Sequence, residues 1–474
     1  MPISRCKRRT EDIMLKKNQT VTLDIIDINH LGFGVAKPDG FAVFVSGGVP
    51  GDRVKATVIK VNRSYAVAKL DTLLTPSPHR AKAPRCPIHA CTACAYKAVD
   101  YAYEVERKHA SVVHAFRKAG LSQVTVAPLL TDGKTHHYRN KAQYPVAQEK
   151  DGGYRIGFFA PKSHRVCEAA ACPLQPPVFE DILACIRAYL VAHGISVYDE
   201  ACGEGLLRHI YLRRGERSGE ILLTLVVTDA HLPYAEELVG ALTERFPAIV
   251  GILLNVQKED TNVILGDTYH TLFGRDTLTD TLAGVTLSLS APSFYQVNHD
   301  MAERLYEKAR ELAAPTGEEL LLDLFCGVGS IGLSMAHEVR ELIGIEIVED
   351  AVRCAARNAE QSGITNARFF SGDASDADAL LARAEAALGH PLRPDIVILD
   401  PPRKGCTERL LTYVASLSPS RIVYISCNPE TLARDCATLA PLGYRTNEAF
   451  PVDLFPGTGH VETVVCLTRS DKAT

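Results

Sequence analysis

The residues whose type and spacing could do chemistry lie in the last third of the chain. Cys427 closes the run Tyr424-Ile425-Ser426-Cys427-Asn428-Pro429, a buried-type strand that would deliver a thiol at its carboxyl edge. Upstream stand Leu399-Asp400-Pro401-Pro402-Arg403-Lys404-Gly405 and, before both, Asp323-Leu324-Phe325-Cys326-Gly327-Val328-Gly329. Glu462, in His460-Val461-Glu462-Thr463-Val464, follows Cys427 by 35 positions in the last strand region. A thiolate can add to an electron-poor ring carbon, and a carboxylate can then take a proton from the neighbouring carbon, so the pair fits nucleophilic plus general-base catalysis. Cys326 and Cys406 are rival thiols, but Cys326 sits in a glycine turn and Cys406 in a loop without strand support.

The elements that must position these groups read as strand, turn and helix. Leu320–Leu324 is an apolar strand running into Cys326-Gly327-Val328-Gly329-Ser330, and an apolar helix follows. Gly327 and Gly329 would let the backbone approach a ligand without a Cβ clash. No Lys-Ser/Thr follows the turn, which excludes a phosphate-gripping P-loop. Ile343-Gly344-Ile345-Glu346 ends a second strand with an acid suited to two ribose hydroxyls. Phe369-Phe370-Ser371-Gly372-Asp373 ends a third with an acid suited to an adenine amino group. These strand ends point to S-adenosylmethionine. With Cys427 and Glu462 they read as methyl transfer to carbon 5 of a pyrimidine, an unreactive carbon unless a thiolate first adds at carbon 6.

A second constellation lies upstream. Cys86, Cys91 and Cys94 stand within nine residues, with Cys172 as a distant fourth and Cys167 as its rival. Four thiolates suit zinc or an iron–sulfur cluster, and the spacing leaves both open. Fourteen cysteines fit metal binding or catalysis better than disulfides in a reducing compartment.

A chain of 474 residues is too long for one core. Residues 17–72 alternate short β-rich runs with Gly32-Phe33-Gly34, Pro38-Asp39-Gly40 and Gly47-Gly48 turns, the pattern of a five-stranded OB-like barrel. Thr75-Pro76-Ser77-Pro78 reads as a linker. Residues 73–280 form a central α+β domain, with a charged helix over 99–119 that can pack on the catalytic domain and one clear helix near 178–193. Residues 281–474 form a Rossmann-like α/β domain with a parallel sheet. Residues 1–97 hold 16 Lys and Arg against 7 Asp and Glu, in a chain of net charge −4. A basic arm on an acidic body fits an anionic polymer. No apolar run reaches the roughly 18 residues that cross a bilayer, and no apolar stretch follows the basic Arg5–Arg9 segment. A cytoplasmic protein without membrane association is expected, with no obligate protein partner.

These motifs together resemble the RNA uracil-5-methyltransferases. Residues 17–72 resemble a TRAM domain through Gly32-Phe33-Gly34-Val35-Ala36, Phe44-Val45 and Pro50-Gly51-Asp52-Arg53-Val54. The wider resemblance rests on Tyr138-Arg139-Asn140-Lys141, Ser293-Phe294-Tyr295-Gln296-Val297-Asn298, the glycine turn, Asp400-Pro401-Pro402-Arg403, Ser426-Cys427-Asn428-Pro429 and the Glu462 segment. It implies a class I methyltransferase domain in which Gln296, Phe325, Glu346 and Asp400 contact cofactor or target base. It implies Cys427 as nucleophile, Glu462 as base, and a 4Fe–4S cluster on Cys86, Cys91, Cys94 and Cys172. Cys86 and Cys91 are separated by four residues where five are usual in the family. Barrel and cluster favour 23S ribosomal RNA over transfer RNA as substrate. Two alternatives remain open: a transfer-RNA enzyme, and a non-catalytic RNA-binding assembly factor.

Overall fold

A computed structural model describes residues 15–83, 85–88, 91, 93–160 and 163–469. The Arg5–Arg9 segment lies outside them. The chain divides into two compact units. The first comprises Met1–Pro87, Ala93–Glu104 and Gly457–Gly459, and the second the remainder.

Period-2 alternation builds the first unit. Along Arg53–Val61, Val54, Ala56 and Val58 point inward while Arg53, Lys55 and Lys60 face solvent. Its sheet runs Thr20–Asp24, Arg53–Val61, Tyr65–Thr75, Ala42–Ser46, Phe33–Ala36, Asp27–Ile28. The first and last of these are one strand bent at Ile25-Ile26, so the six segments amount to the five-stranded closed barrel that the turn spacing predicts. The presumed linker is pinned rather than loose. Ser77 is buried, its N–H donates to Asp52 Oδ1 (2.8 Å), and its hydroxyl donates to Pro50 O (2.5 Å). Gly457–Gly459, from the far end of the chain, belongs here too. Tyr96 N–H donates to Gly457 O (2.8 Å), and Gly457 N–H to Glu104 Oε1 (2.7 Å).

The second unit contains two large sheets. The central one runs Val166–Glu168, Tyr154–Phe159, Lys141–Gln148, Leu207–Arg214, Ile221–Val227, Ile249–Val256, Thr268–Gly274. One face packs on helix Pro177–His193 through Ile182, Leu183 and Ile186. A second helix, Ala235–Arg245, was not legible in the sequence. It buries only Leu238 and Leu242 and carries Gly240, so its periodicity is faint. The fold requires it, because Ile221–Val227 and Ile249–Val256 are parallel and need a crossover.

The other sheet runs Ala367–Ser371, Glu341–Glu346, Leu320–Leu324, Ile396–Leu399, Arg421–Ser426, Glu462–Arg469, Glu448–Val452, Thr125–Val126. The first five strands are parallel, and Glu462–Arg469 is antiparallel to its neighbour. Buried-type runs such as Leu320–Leu324, buried throughout, are what a sheet covered on both faces requires. Helix Tyr101–Lys118 contributes Val112, Ala115 and Phe116 to the core around Leu322, Leu324 and Tyr424. Hairpin Thr277–Leu282/Val285–Ser290 joins the core around Leu321 and Ile398. Among the described residues no helix is long and apolar enough to cross a membrane.

Candidate active site

The strand order reverses between Leu320–Leu324 and Ile396–Leu399, and a crevice at the carboxyl ends of such a sheet is where ligands bind. Across that edge, in the order of the strands, stand Asp373, Glu346, the glycine turn, Asp400, Cys427 and Glu462.

The turn is built by its backbone. Phe325 adopts φ +72°, and the N–H groups of Phe325 and Cys326 both donate to Ile345 O at 3.0 Å. Gly327 and Gly329 have φ of +56° and +82°. A Cβ on Gly327 would meet nothing within 4 Å, so the turn borders open space. Glu346 clamps it from the next strand, accepting from Gly327 N–H (3.0 Å) and Val348 N–H (2.9 Å). Each carboxylate oxygen keeps a second lone pair for a ligand hydroxyl. Asp323 Oδ2 accepts from Gly332 N–H at 3.0 Å, while its other oxygen is buried with no partner among the described residues. Burial pushes the Asp323 carboxyl up to about 8. Asp373 is exposed, next to Gly372, whose N–H donates to Glu346 O (2.9 Å). An open glycine turn between two strand-end acids fits an adenosyl ligand.

Gln296 enters from another element. Asn140 holds its loop, its Nδ2 donating to Gln296 O (2.9 Å) and its N–H to Val297 O (2.9 Å). Tyr295 donates its hydroxyl to buried Asp280 (2.8 Å). Asn298 caps helix His299–Ala313 and donates to Leu454 O (3.1 Å). Phe294 of the same loop is 67% exposed.

The other half of the edge holds Cys427 and Glu462. Ser426 pairs with Thr463 across the antiparallel ladder, so the next rung sets Cys427 against Glu462. Cys427 is half-buried. Burial first, then the charges of Glu462 and Asp400, push its thiol up to about 11, and Arg403 acts in the opposite direction. The N-terminus of helix Pro429–Leu439, capped by Asn428, begins two residues on and favours negative charge. Glu462 is 7% exposed, and burial, then Asp400, push its carboxyl up to about 8. Burial pushes Asp400 up to about 7.

The rival thiols are poorer nucleophiles. Cys326 is buried, and burial plus Asp323 and Glu346 push it well up. Burial pushes Cys406 up to about 12, and it packs at 3.5 Å from the Tyr424 hydroxyl. Sequence reasoning missed several supports. Asp435 accepts from Tyr424 Oη (2.6 Å) and Cys406 N–H (2.9 Å), fixing the loop after Asp400. Asn358 ties Val328 O to the N–H of Ser288 (3.0 Å each). Tyr306 meets Ser330 Oγ at 2.9 Å within reach of the charges of Asp400, Asp323 and Glu462. Single buried polar residues of this kind leave no spacing signal.

The cysteine cluster is less developed. Cys86 and Cys91 are buried, and Cys94 and Cys172 are half-buried. No disulfide joins cysteines among the described residues. Their donor chemistry suits a cluster, but no three His, Cys, Asp or Glu side chains among the described residues are gathered as a metal would hold them. The expected metal site is therefore not shown.

The sheet order, the glycine turn and the strand-end acids define a Rossmann-like methyltransferase. Residues 254–470 match the tRNA (uracil-5-)-methyltransferase family, and residues 15–70 match the TRAM domain. An uncharacterized RNA methyltransferase of Clostridium tetani is 37% identical over 459 residues, covering 97% of this chain and 98% of its own. Another from Clostridium acetobutylicum is 38% identical over 464 residues, covering 97% and 99%. The Pyrococcus abyssi tRNA (uracil-54, C5)-methyltransferase, crystallised with S-adenosyl-L-homocysteine, aligns with a TM-score of 0.76 at 27% identity, covering 94% of this chain and 99% of that one. The chain belongs to the RNA uracil-5-methyltransferase family. It is an S-adenosylmethionine-dependent enzyme acting on RNA.

Proposed function

We propose that the enzyme forms 5-methyluridine through a covalent Cys427 adduct with its target uracil. The observation that carries this reading is the Ser426–Thr463 ladder, which sets a half-exposed thiol and a buried carboxyl together beside Asp400 and the glycine turn. Gln296, Phe325, Gly327, Gly329, Glu346, Asp373 and Asp400 would hold cofactor and base. When bound, S-adenosylmethionine supplies a methyl group on a sulfonium sulfur.

The Cys427 thiolate adds to carbon 6 of uracil, forming a C–S bond and an enolate over carbon 5 and the carbonyl oxygen. Carbon 5 bonds to the methyl carbon as that carbon's bond to sulfur breaks. Glu462 removes the carbon 5 proton. Those electrons restore the ring double bond and expel Cys427 as thiolate. Carbon 6 is shielded in a base stack, so the uridine must be flipped out. Cys427→Ala should lower single-turnover methyl transfer by several orders of magnitude and leave S-adenosylhomocysteine binding intact. Near-normal transfer by that variant would sink the nucleophile assignment.

For substrate we propose large-subunit (23S) ribosomal RNA, with the enzyme in the cytoplasm. The transfer-RNA reading has a specific observation in its favour: the Pyrococcus abyssi transfer-RNA enzyme matches along nearly the whole chain. That match, over 94% of this chain, weakens the N-terminal barrel as an argument for ribosomal RNA. Mass mapping of RNA from cells lacking the protein separates the two. RNA that keeps all its 5-methyluridine would leave the assembly-factor reading.

Cys86, Cys91, Cys94 and Cys172 are proposed 4Fe–4S ligands, with zinc as the lesser alternative. Anaerobically purified protein should then be brown and carry iron and sulfide in cluster stoichiometry. Stoichiometric zinc without sulfide would favour the alternative, and neither would reduce the group to ordinary thiols.

A further inference from the structure

The central sheet carries a group of cations that the chemistry above does not use. Lys141 and Arg213 are direct partners across antiparallel strands Lys141–Gln148 and Leu207–Arg214. Their neighbours Ala142 and Leu212 face the helix-covered core, so both cations lie on the other face. That is the face of Tyr211, which packs with Ala291 and Tyr295 beside the Gln296 loop. Like charges directly opposite each other destabilise a sheet. Arg139, two positions before Lys141, adds a third charge. Among the described residues none of the three forms a salt bridge. The repulsion is felt: burial first, then Arg213 and Arg139, push the Lys141 ammonium down to about 8.

Hydrogen bonding leaves the group unsatisfied as well. Arg213 is 0% exposed. Its Nη2 donates to Tyr211 Oη (2.9 Å), Ala291 O (3.2 Å) and Ser293 O (2.5 Å). Its Nε and Nη1, and the Nε of Arg139, are buried without a partner among the described residues. Buried cations normally have partners, and a concentration of uncompensated ones calls for an anion from outside.

We propose that Arg139 and Lys141, with Arg213 behind them as a fixed charge, grip a backbone phosphate of the RNA and so seat the strand against the Ser293–Asn298 loop. The inference rests on the RNA reading above. The cofactor's own carboxylate fits less well. It travels with an ammonium and a sulfonium, so S-adenosylmethionine is a net cation that three cations without a counter-ion would repel. A phosphodiester has no such compensating charge. Asn140 lies between Arg139 and Lys141 and is bonded to the main chain of Gln296 and Val297, so a phosphate held here registers the strand against the cofactor loop.

The test uses the full chain, with oligouridylate as the RNA probe and S-adenosylhomocysteine as the cofactor probe. Lys141→Gln and Arg139→Gln should each weaken oligouridylate binding severalfold at low salt. Each should also lower the slope of log affinity against log salt by about one. Lys141→Arg should keep the slope. Binding of S-adenosylhomocysteine should not change. The thermal midpoint of Lys141→Gln should hold or rise, because a repulsive partner of Arg213 has gone. An unchanged salt slope, a parallel loss of S-adenosylhomocysteine binding, or a fallen midpoint with normal RNA affinity would each overturn the phosphate assignment. In all three cases methyl transfer to RNA by the wild type would leave the functional reading standing. A wild type that neither binds nor methylates RNA would remove that reading and this inference together.

Discussion

In the proposed mechanism Glu462 and Cys427 face conflicting electrostatic demands, since an ionised carboxylate beside the thiol discourages the thiolate. The pair resolves this by burial. Near neutral pH burial keeps most of the Glu462 carboxyl protonated, which eases thiolate formation, while the ionised fraction can serve as base, and Arg403 favours the thiolate. A base poised near neutral pH suits the later proton removal. Glu462→Gln should therefore permit addition and methylation but stall release, and protein should accumulate covalently linked to RNA on denaturing gels. Unchanged turnover with no linked species would exclude Glu462 as base. The same substitution has a stability signature. The folded carboxyl titrates near 8 against an ordinary 4.5. Folding therefore holds a proton that the unfolded chain releases, and stability falls as pH rises from 4.5 through 8. The glutamine variant lacks this slope. Its thermal midpoint relative to wild type, without ligands, should improve from pH 5 to pH 8, by on the order of a few kcal/mol in stability. A constant difference would mean that the carboxyl is not held neutral by the fold.

At the scale of elements, the site depends on loops fixed by polar residues far from them in sequence. Asn298 caps one helix and holds Leu454 O while its neighbours Gln296 and Val297 are held by Asn140. Asn298→Ala should cost about 1–2 kcal/mol in thermal or denaturant unfolding and raise the KM for S-adenosylmethionine. A loss of stability without a change in KM would separate the cap from the site. The contrast with Cys427 explains what the sequence could reveal. Strand ends were legible because a buried-type run followed by glycine, acid or thiol is a local pattern, and the sheet lines up Asp373, Glu346, Asp400 and Cys427 from such patterns, with Glu462 opening the antiparallel strand beside them. Asn140, Asn358 and Asp435 each reach a partner 29 or more positions away, so no short window of sequence contains those pairs. Helix Ala235–Arg245 escaped for another reason: topology demands it, while its own apolar stripe is thin.

Across the whole molecule, charge is distributed by task. The barrel presents Lys55, Lys60, Arg63 and Lys69 to solvent, and the chain as a whole is acidic. Replacing these four by glutamine should weaken RNA binding and lower its salt slope by roughly three to four, with S-adenosylhomocysteine affinity unchanged. Equal slopes would assign the RNA to the central sheet alone. The barrel-containing unit has one more property, set by Gly457–Gly459, which bonds to Tyr96 and Glu104 within it. A ribosome makes these three residues long after the barrel strands. Tyr96 and Glu104 must therefore wait for their Gly457 partner until the intervening stretch has been synthesised. A nascent chain halted before Gly457 should expose the Tyr96 region to protease, and a chain released after Gly459 should not.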